Sequence, residues 1–280
     1  MKLITYQTIV AEVKKLCIEA NYFLGDDVKT ALKTAWHNEI SPLGKEILSA
    51  LYRNSLIASE EQVPICQDTG TAVVFLEIGQ DVRIEGGYIY DAVNEGVRQG
   101  YTEGYLRKSM VNHPLCRRNT GDNTPAIIHA EIVPGNQLAI TVAPKGGGSE
   151  NMSALAMLTP SAGWTGVKQF VIETVRKAGA NPCPPLIVGV GIGGNFEKAA
   201  LLAKKSLLRE VGSPNRDAEL AELEKELIKE INNLGIGPQG FGGSVTALAV
   251  HIELYPCHIA SLPVAVNLNC HVARHKSVIL

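Results

Sequence analysis

The chain has 280 residues, of which 45% are hydrophobic and 19% charged, with a formal net charge of -2. That length buries a full core without disulfide staples, and the near-neutral balance gives no electrostatic preference for nucleic acid. No apolar run reaches the roughly 20 residues that span a bilayer, and Glu12, Lys14 and Lys15 interrupt any signal-peptide core, so a cytoplasmic protein without membrane or nucleic-acid partners is expected.

The first 60 residues predict helices. Ile9, Val10, Val13, Leu16, Cys17, Ala20, Phe23 and Leu24 recur at helical spacing, which places Cys17 in the core. Asp26 and Asp27 suit the start of a second helix carrying Ala31, Leu32 and Trp36, and Ser41 with Pro42 reads as the N-cap and first turn of a third. From residue 63 the texture changes to short β-branched runs: TAVVFLEIG, AIIHAEIV, QLAITVAP, PLIVGV, VTALAVHIEL and LPVAVNLN. Between them, GWTGVKQFVIETVRKAG carries Val167, Phe170, Val171, Thr174 and Val175 on one helical face, and residues 195 to 209 predict a further helix. SPNRDAELAELEKELIKEINNLG predicts an amphipathic helix with Leu220, Leu223, Leu227, Ile231 and Leu234 inward and a solvated charged face. The expected fold is mixed α/β (α+β), with a helical N-terminal segment over 1–60, an α/β region with mixed sheets over 61–280, and a soft boundary between them.

Residues 181 to 194, NPCPPLIVGVGIGG, carry Gly189, Gly191 and Gly194 in GxGxxG spacing. A dinucleotide site also needs an acidic residue about 20 positions on, at the end of the next strand. Around Glu210 the sequence SLLREVGSPNRDAE instead continues a helix into a turn, so the glycines are expected to form a tight strand-to-helix turn that lets backbone approach a bound group. A nicotinamide oxidoreductase, the rival reading, predicts NAD binding independent of iron.

Six cysteines, Cys17, Cys66, Cys116, Cys183, Cys257 and Cys270, are scattered along the chain, and without a secretion signal their even number does not imply disulfides. Pro182, Pro184 and Pro185 hold Cys183 rigidly. Alone, it would be an ordinary cysteine in a proline turn. PICQDTG, however, sets Cys66 directly before Gln67, Asp68 and Thr69, and Cys270 stands just past an apolar strand, again in polar company. These three could converge only in three dimensions. Zinc motifs usually offer paired thiols such as CxxC, and none is present. Three isolated thiolates suit a [4Fe-4S] cluster with one iron lacking a protein ligand, free to act as a Lewis acid on a hydroxyl and its neighbouring carboxylate.

PICQDTG, KGGGSEN at 145 to 151, GANPCPPLIVGVGIGG, GIGPQGFGG at 235 to 243 and YPCHIASLPVAVNLNC resemble, in order, the motifs of the iron-sulfur hydro-lyases, class I fumarate hydratase and L-tartrate dehydratase. The resemblance spans roughly residues 40 to 275 and corresponds to the alpha, cluster-binding subunit. It implies Cys66, Cys183 and Cys270 as cluster ligands, with Cys17, Cys116 and Cys257 outside the set. It further implies Gln67, Arg107 and the Gly147 N–H as holders of a small dicarboxylate, with Arg117 and Arg118 close to Arg107 in sequence, and Asp68 with His258 as catalytic groups at the departing hydroxyl. KGGGSEN lacks the order of a phosphate loop and suits a carboxylate cradle at the start of a helix, SENMSALAML, capped by Ser149. The resemblance also implies a separate beta subunit supplying the general base, hence a hetero-oligomer. The expected reaction interconverts fumarate and (S)-malate, a step of the tricarboxylic acid cycle. L(+)-tartrate dehydration is the alternative, and a non-catalytic iron-sulfur electron-transfer or sensor protein is the rival of another class.

Overall fold

The computed structural model describes residues 2–280. In chain order the elements are β1 (Lys2–Thr5), α1 (Tyr6–Tyr22), α2 (Asp26–Asn38), α3 (Pro42–Glu61), β2 (Thr71–Gly79), β3 (Val82–Glu85), α4 (Ile89–Glu103), β4 (Ile127–Val133), β5 (Leu138–Lys145) and α5 (Gly147–Glu150). There follow β6 (Ala154–Leu158), α6 (Gly163–Ala178), β7 (Leu186–Gly193), α7 (Phe196–Ser206), α8 (Ala218–Asn232), β8 (Ala247–Tyr255), β9 (Leu262–Asn269) and β10 (Lys276–Ile279). The fold is mixed α/β. Among the described residues, no helix is long and apolar enough to cross a membrane.

Two compact units divide the chain. The first takes the residues up to Gly25, then Ser55–Gly147 and Arg274–Leu280; the second takes Asp26–Asn54 and Gly148–Ala273. The chain passes between them at Gly25/Asp26, Asn54/Ser55, Gly147/Gly148 and Ala273/Arg274, so neither unit is one continuous stretch.

The first unit is a sheet in the order β10-β5-β2-β4, in which β2 runs parallel to β4 and antiparallel to β5. Val74, Leu76, Ile140 and Val142 bury one face of it with Val10, Val13, Val93 and Val97 from α1 and α4. Glycines set the approach of the two helices. A Cβ on Gly96 would stand 2.7 Å from the Val13 Cβ, and one on Gly100 would stand 2.8 Å from the Cys17 Cβ. Cys17 is thereby sealed in the core as expected, and burial pushes its thiol up to about 12, which keeps it protonated and unfit as a ligand. The same glycines lower helix propensity, which explains why α4 was not legible from local pattern.

In the second unit the sheet order is β6-β9-β7-β8, with β7 parallel to β8 and antiparallel to β9. All eight residues of β7 are buried, because helices cover both faces. Leu186, Val188, Val190 and Ile192 pack with Val171 and Val175 of α6 and Leu223 and Leu227 of α8. The alternate positions, Gly189 and Gly191, meet α7, where an added Cβ would lie 2.2 Å from the carbonyl oxygens of Ala203 and Ala199 respectively. This corrects the expectation of a turn serving a bound group. Gly189 and Gly191 lie inside the strand and exist for close helix packing, and only Gly193 and Gly194, at φ +95° and +67°, make the turn.

His251 of β8 is 2% exposed, and its Nδ1 donates to the Ser206 carbonyl at 3.1 Å. Burial lowers its pKa from 6.5 to about 4; the Arg209 charge adds to this, while Glu224, the Ser206 carbonyl and Asp27 oppose it. Between those two values the unfolded chain binds a proton that the folded chain refuses, so stability falls as pH drops through that window. Unfolding free energy is expected to fall by about 2 kcal/mol from this group between pH 7 and pH 5. Denaturant titrations at the two pH values check it, and His251→Leu should flatten the difference.

Candidate metal and substrate site

In the first unit, PICQDTG forms the loop between α3 and β2, and Asp68 is its hub. The Asp68 N–H donates to the Cys66 Sγ at 3.4 Å, and its carbonyl oxygen accepts from Arg274 Nη2 at 2.5 Å. Of its carboxylate oxygens, Oδ1 accepts from the Gly70 N–H at 3.1 Å and Oδ2 from the Gly147 N–H at 2.8 Å. Gly70, at φ +73°, has room for no side chain, since a Cβ would sit 2.6 Å from the Lys145 backbone. The buried Tyr101 hydroxyl lies 2.9 and 3.0 Å from the Thr69 and Gly70 carbonyl oxygens, and Asn123 Nδ2 also donates to the Gly70 carbonyl.

Arg107 joins this loop through its main chain, its carbonyl accepting from the Thr69 hydroxyl at 3.0 Å. Its side chain is exposed and, among the described residues, makes no ion pair. Gln67 is also exposed, and its Oε1 accepts from the Cys66 thiol at 3.4 Å. Cys66, Gln67, Asp68, Gly147 and the Arg107 main chain thus come together within one unit. Arg117 and Arg118 lie on an exposed excursion shared with Cys116.

The glycine run departs from its expected form. SENMSALAML is not a helix: α5 is a single four-residue turn, and Ala154–Leu158 becomes β6, antiparallel to β9. Pairing with a buried strand outweighs the helix propensity of Ala, Leu and Met. One turn offers no helix-start cradle for a carboxylate. The Gly147 N–H instead holds the carboxylate of Asp68.

In the second unit, Cys183 leads into β7 and Cys270 follows β9, and the pairing of Ile187 with Asn269 sets them at the same end of the sheet. The His271 N–H donates to the Cys183 carbonyl at 3.4 Å, and His271 Nδ1 lies 3.1 Å from the same oxygen. Gln239 braces the other side, its N–H and Nε2 donating to the Pro184 carbonyl at 2.8 and 2.7 Å. Cys183 adopts φ +57°, a left-handed conformation that costs a non-glycine residue roughly 1 kcal/mol. His258 stands elsewhere. It lies in the exposed turn after β8, at the end where Gly193 pairs with Tyr255, so the eight residues of β7, about 26 Å of strand, separate that end from Cys183 and Cys270.

Residues 10–279 match the family described as fumarate hydratase (Fumerase). The chain belongs to the fumarate hydratase family. Among its relatives, a Methanocaldococcus jannaschii protein provisionally named L(+)-tartrate dehydratase subunit alpha is 48% identical over 94% of each chain. The L(+)-tartrate dehydratase subunit alpha of Escherichia coli K12 is 34% identical over 91% of this chain and 85% of its own, and that of Escherichia coli O157:H7 is 33% identical over 91% and 85%. Membership makes the chain a hydro-lyase.

In this fumarate hydratase family member, the thiols of Cys66, Cys183 and Cys270 are donors of the type that holds an iron-sulfur cluster. None of the six cysteines is in a disulfide; Cys66 and Cys270 are half-buried and Cys183 is exposed. Among the described residues, no three His, Cys, Asp or Glu side chains are grouped as they would be round a single metal ion. Each ligated iron of a cubane takes its own thiolate, so its ligands do not gather round one ion as in a mononuclear site. Nor does a groove of about 760 Å³, with Asp27, Thr34, Val211 and Leu248 among its walls, touch any of the predicted site residues. Three supporting residues escaped the sequence reading: Arg274, Gln239 and Glu39. Their only local signal is a charged or polar side chain amid buried apolar or glycine-rich chain, and its meaning is fixed by distant partners.

Proposed function

We propose that this chain is the alpha subunit of a cytoplasmic [4Fe-4S] hydro-lyase that interconverts fumarate and (S)-malate together with a beta subunit. The observation that carries the reading is the Cys66–Gly70 loop, where a half-buried thiol, an exposed amide and a held carboxylate adjoin Arg107, whose guanidinium has no ion pair. The relatives' names as alpha subunits support the need for a partner. Held by Cys66, Cys183 and Cys270, a [4Fe-4S] cluster would supply a Lewis-acidic iron that weakens the carbon–hydroxyl bond. The chain's own residues do the rest. Arg107 grips one carboxylate through its fork of N–H donors, and Gln67 holds a second oxygen. Substrate reaches the Gly147 N–H by displacing the Asp68 carboxylate, whose freed oxygen then holds the proton at the departing hydroxyl. The proton on carbon goes to a base of the beta subunit. For His258 the assignment rests on the resemblance, and His258→Asn with unchanged kcat removes it from the mechanism.

A second reading, L(+)-tartrate as substrate, is favoured by the relatives' names. The chain co-purified anaerobically with its beta subunit distinguishes them by kcat/KM for (S)-malate and L(+)-tartrate. Higher values for malate are expected. A tenfold preference for tartrate, on the order of 1.4 kcal/mol in transition-state binding, replaces the first reading with the second. A loaded complex inert toward both, whose cluster signal ignores added substrate, leaves the electron-transfer or sensor reading.

A further inference from the structure

Arg274 is a strongly buried cation against the Cys66–Gly70 loop that the proposed function leaves unused. It is 5% exposed, and its Nη2 donates to the Asp68 carbonyl at 2.5 Å. Its Nε and Nη1 are buried with no hydrogen-bond partner. Among the described residues it forms no ion pair, and both carboxylate oxygens of Asp68 are already taken by the N–H groups of Gly70 and Gly147. Tyr101, whose hydroxyl holds the same loop, registers the charge: burial raises its pKa, and Arg274 opposes that rise.

A guanidinium cannot lose its charge at accessible pH, and a buried cation lacking an anion is among the costliest arrangements a fold can carry. The Asp68 carboxylate belongs to the residue that Arg274 grips but makes no ion pair with it, and two donor nitrogens of Arg274 are left without an acceptor. The carbonyl it grips belongs to the residue whose N–H donates to the Cys66 sulfur, so the cation stands one residue behind that thiol in the bonded chain of contacts. A set of thiolates with a reduced cluster is anionic, and a fixed positive charge behind it favours the electron-rich state.

We propose that Arg274 is the positioning residue of the Cys66–Gly70 loop, fixing the loop through the Asp68 carbonyl while its buried charge offsets the negative charge that Cys66 and its cluster bring. The charge half rests on the cluster reading; the loop half does not.

Two variants in the full chain with its beta subunit test both halves: Arg274→Met, which removes charge and donors, and Arg274→Lys, which keeps the charge. In cluster-free protein, amide exchange over residues 66–70 is expected to quicken at least about tenfold in R274M, as befits loss of a hydrogen bond from a charged donor. Unchanged exchange there overturns the proposal, whether or not the wild type binds iron. In cluster-loaded protein, the midpoint potential should move to more negative values in R274M and stay at the wild-type value in R274K. A wild-type potential in R274M overturns the charge role. If R274M does not fold, R274K decides alone, and a potential shifted negative despite the retained charge overturns it. A wild type that loads no iron fails the cluster reading instead, and the exchange result still judges Arg274.

Discussion

Cys183→Ser is expected to abolish iron retention in anaerobically reconstituted protein, whereas Cys116→Ser retains the wild-type iron content. Both residues are exposed and neither is in a disulfide, so exposure does not separate them; their surroundings do. Cys183 is held at φ +57° between prolines, its carbonyl is engaged by His271, and the next carbonyl is engaged twice by Gln239. Cys116 sits on an exposed excursion where the His113 ring accepts from its N–H. A serine hydroxyl does not ionise where a cysteine thiol does, so the substitution removes the ligand while changing shape little. Cys183→Gly sharpens the test. Glycine relieves the left-handed conformation and should stabilise the fold by roughly 1 kcal/mol while still losing iron. Iron and sulfide analysis alongside thermal unfolding reads both effects. Equal iron in the Cys183 and Cys116 variants would falsify the ligand assignment.

What was legible in the sequence followed the range of the interactions concerned. Strong β-branched runs such as TAVVFLEIG and LPVAVNLN became β2 and β9, and the leucine stripe of α8 is buried at Leu220, Leu223, Leu227 and Ile231. Those signals are local, because burial of one face is written in the spacing of the residues themselves. The short strands β1, β3 and β10 carried too few residues to show a period, and each exists by pairing with a partner far along the chain. The glycines of GVGIGG misled for a similar reason. Spacing shows that side chains are absent, but the backbone that needs the space, that of α7, is visible only in the fold. The candidate site divides in the same way. Its cysteines could be singled out from polar or proline-bound settings, whereas Arg274 and Gln239 gain their roles from carbonyls at Asp68 and Pro184, more than 50 positions away.

Glu39→Ala is expected to destabilise the protein by about 3–5 kcal/mol, a loss reserved for buried groups that satisfy several partners at once. Glu39 is 1% exposed just past α2, and among the described residues it makes no ion pair that would explain its burial. Its Oε1 accepts from the N–H groups of Ile40 and Ser41 and from the Ser244 hydroxyl, and its Oε2 accepts from the Val245 N–H at 2.9 Å; the Ser244 N–H is shared between them. GIGPQGFGG leads directly into Ser244 and Val245, which supply the donors from that side. At φ +134°, Gly243 would put any Cβ 2.8 Å from Oε2, and Gly237 would put one 2.1 Å from the Gly242 backbone. The motif's glycines therefore let main-chain donors close round a carboxylate, an anion nest whose anion is internal. Burial pushes the Glu39 carboxyl up, but the Ser41, Ser244 and Ile40 donors outweigh it, and its pKa lies below the ordinary value of 4.5. Its stabilising contribution is thus complete above that value and is lost as pH falls through the depressed folded pKa. Glu39→Gln should recover only part of the loss, because its NH₂ would face N–H donors where the carboxylate presents a second acceptor. Urea unfolding of the two variants at pH 7 reads both values. Since Gln239 of the same motif braces the Pro184 carbonyl beside Cys183, the alanine variant should also retain less iron, and one that unfolds within 1 kcal/mol of the wild type would show that the nest is not what holds this loop.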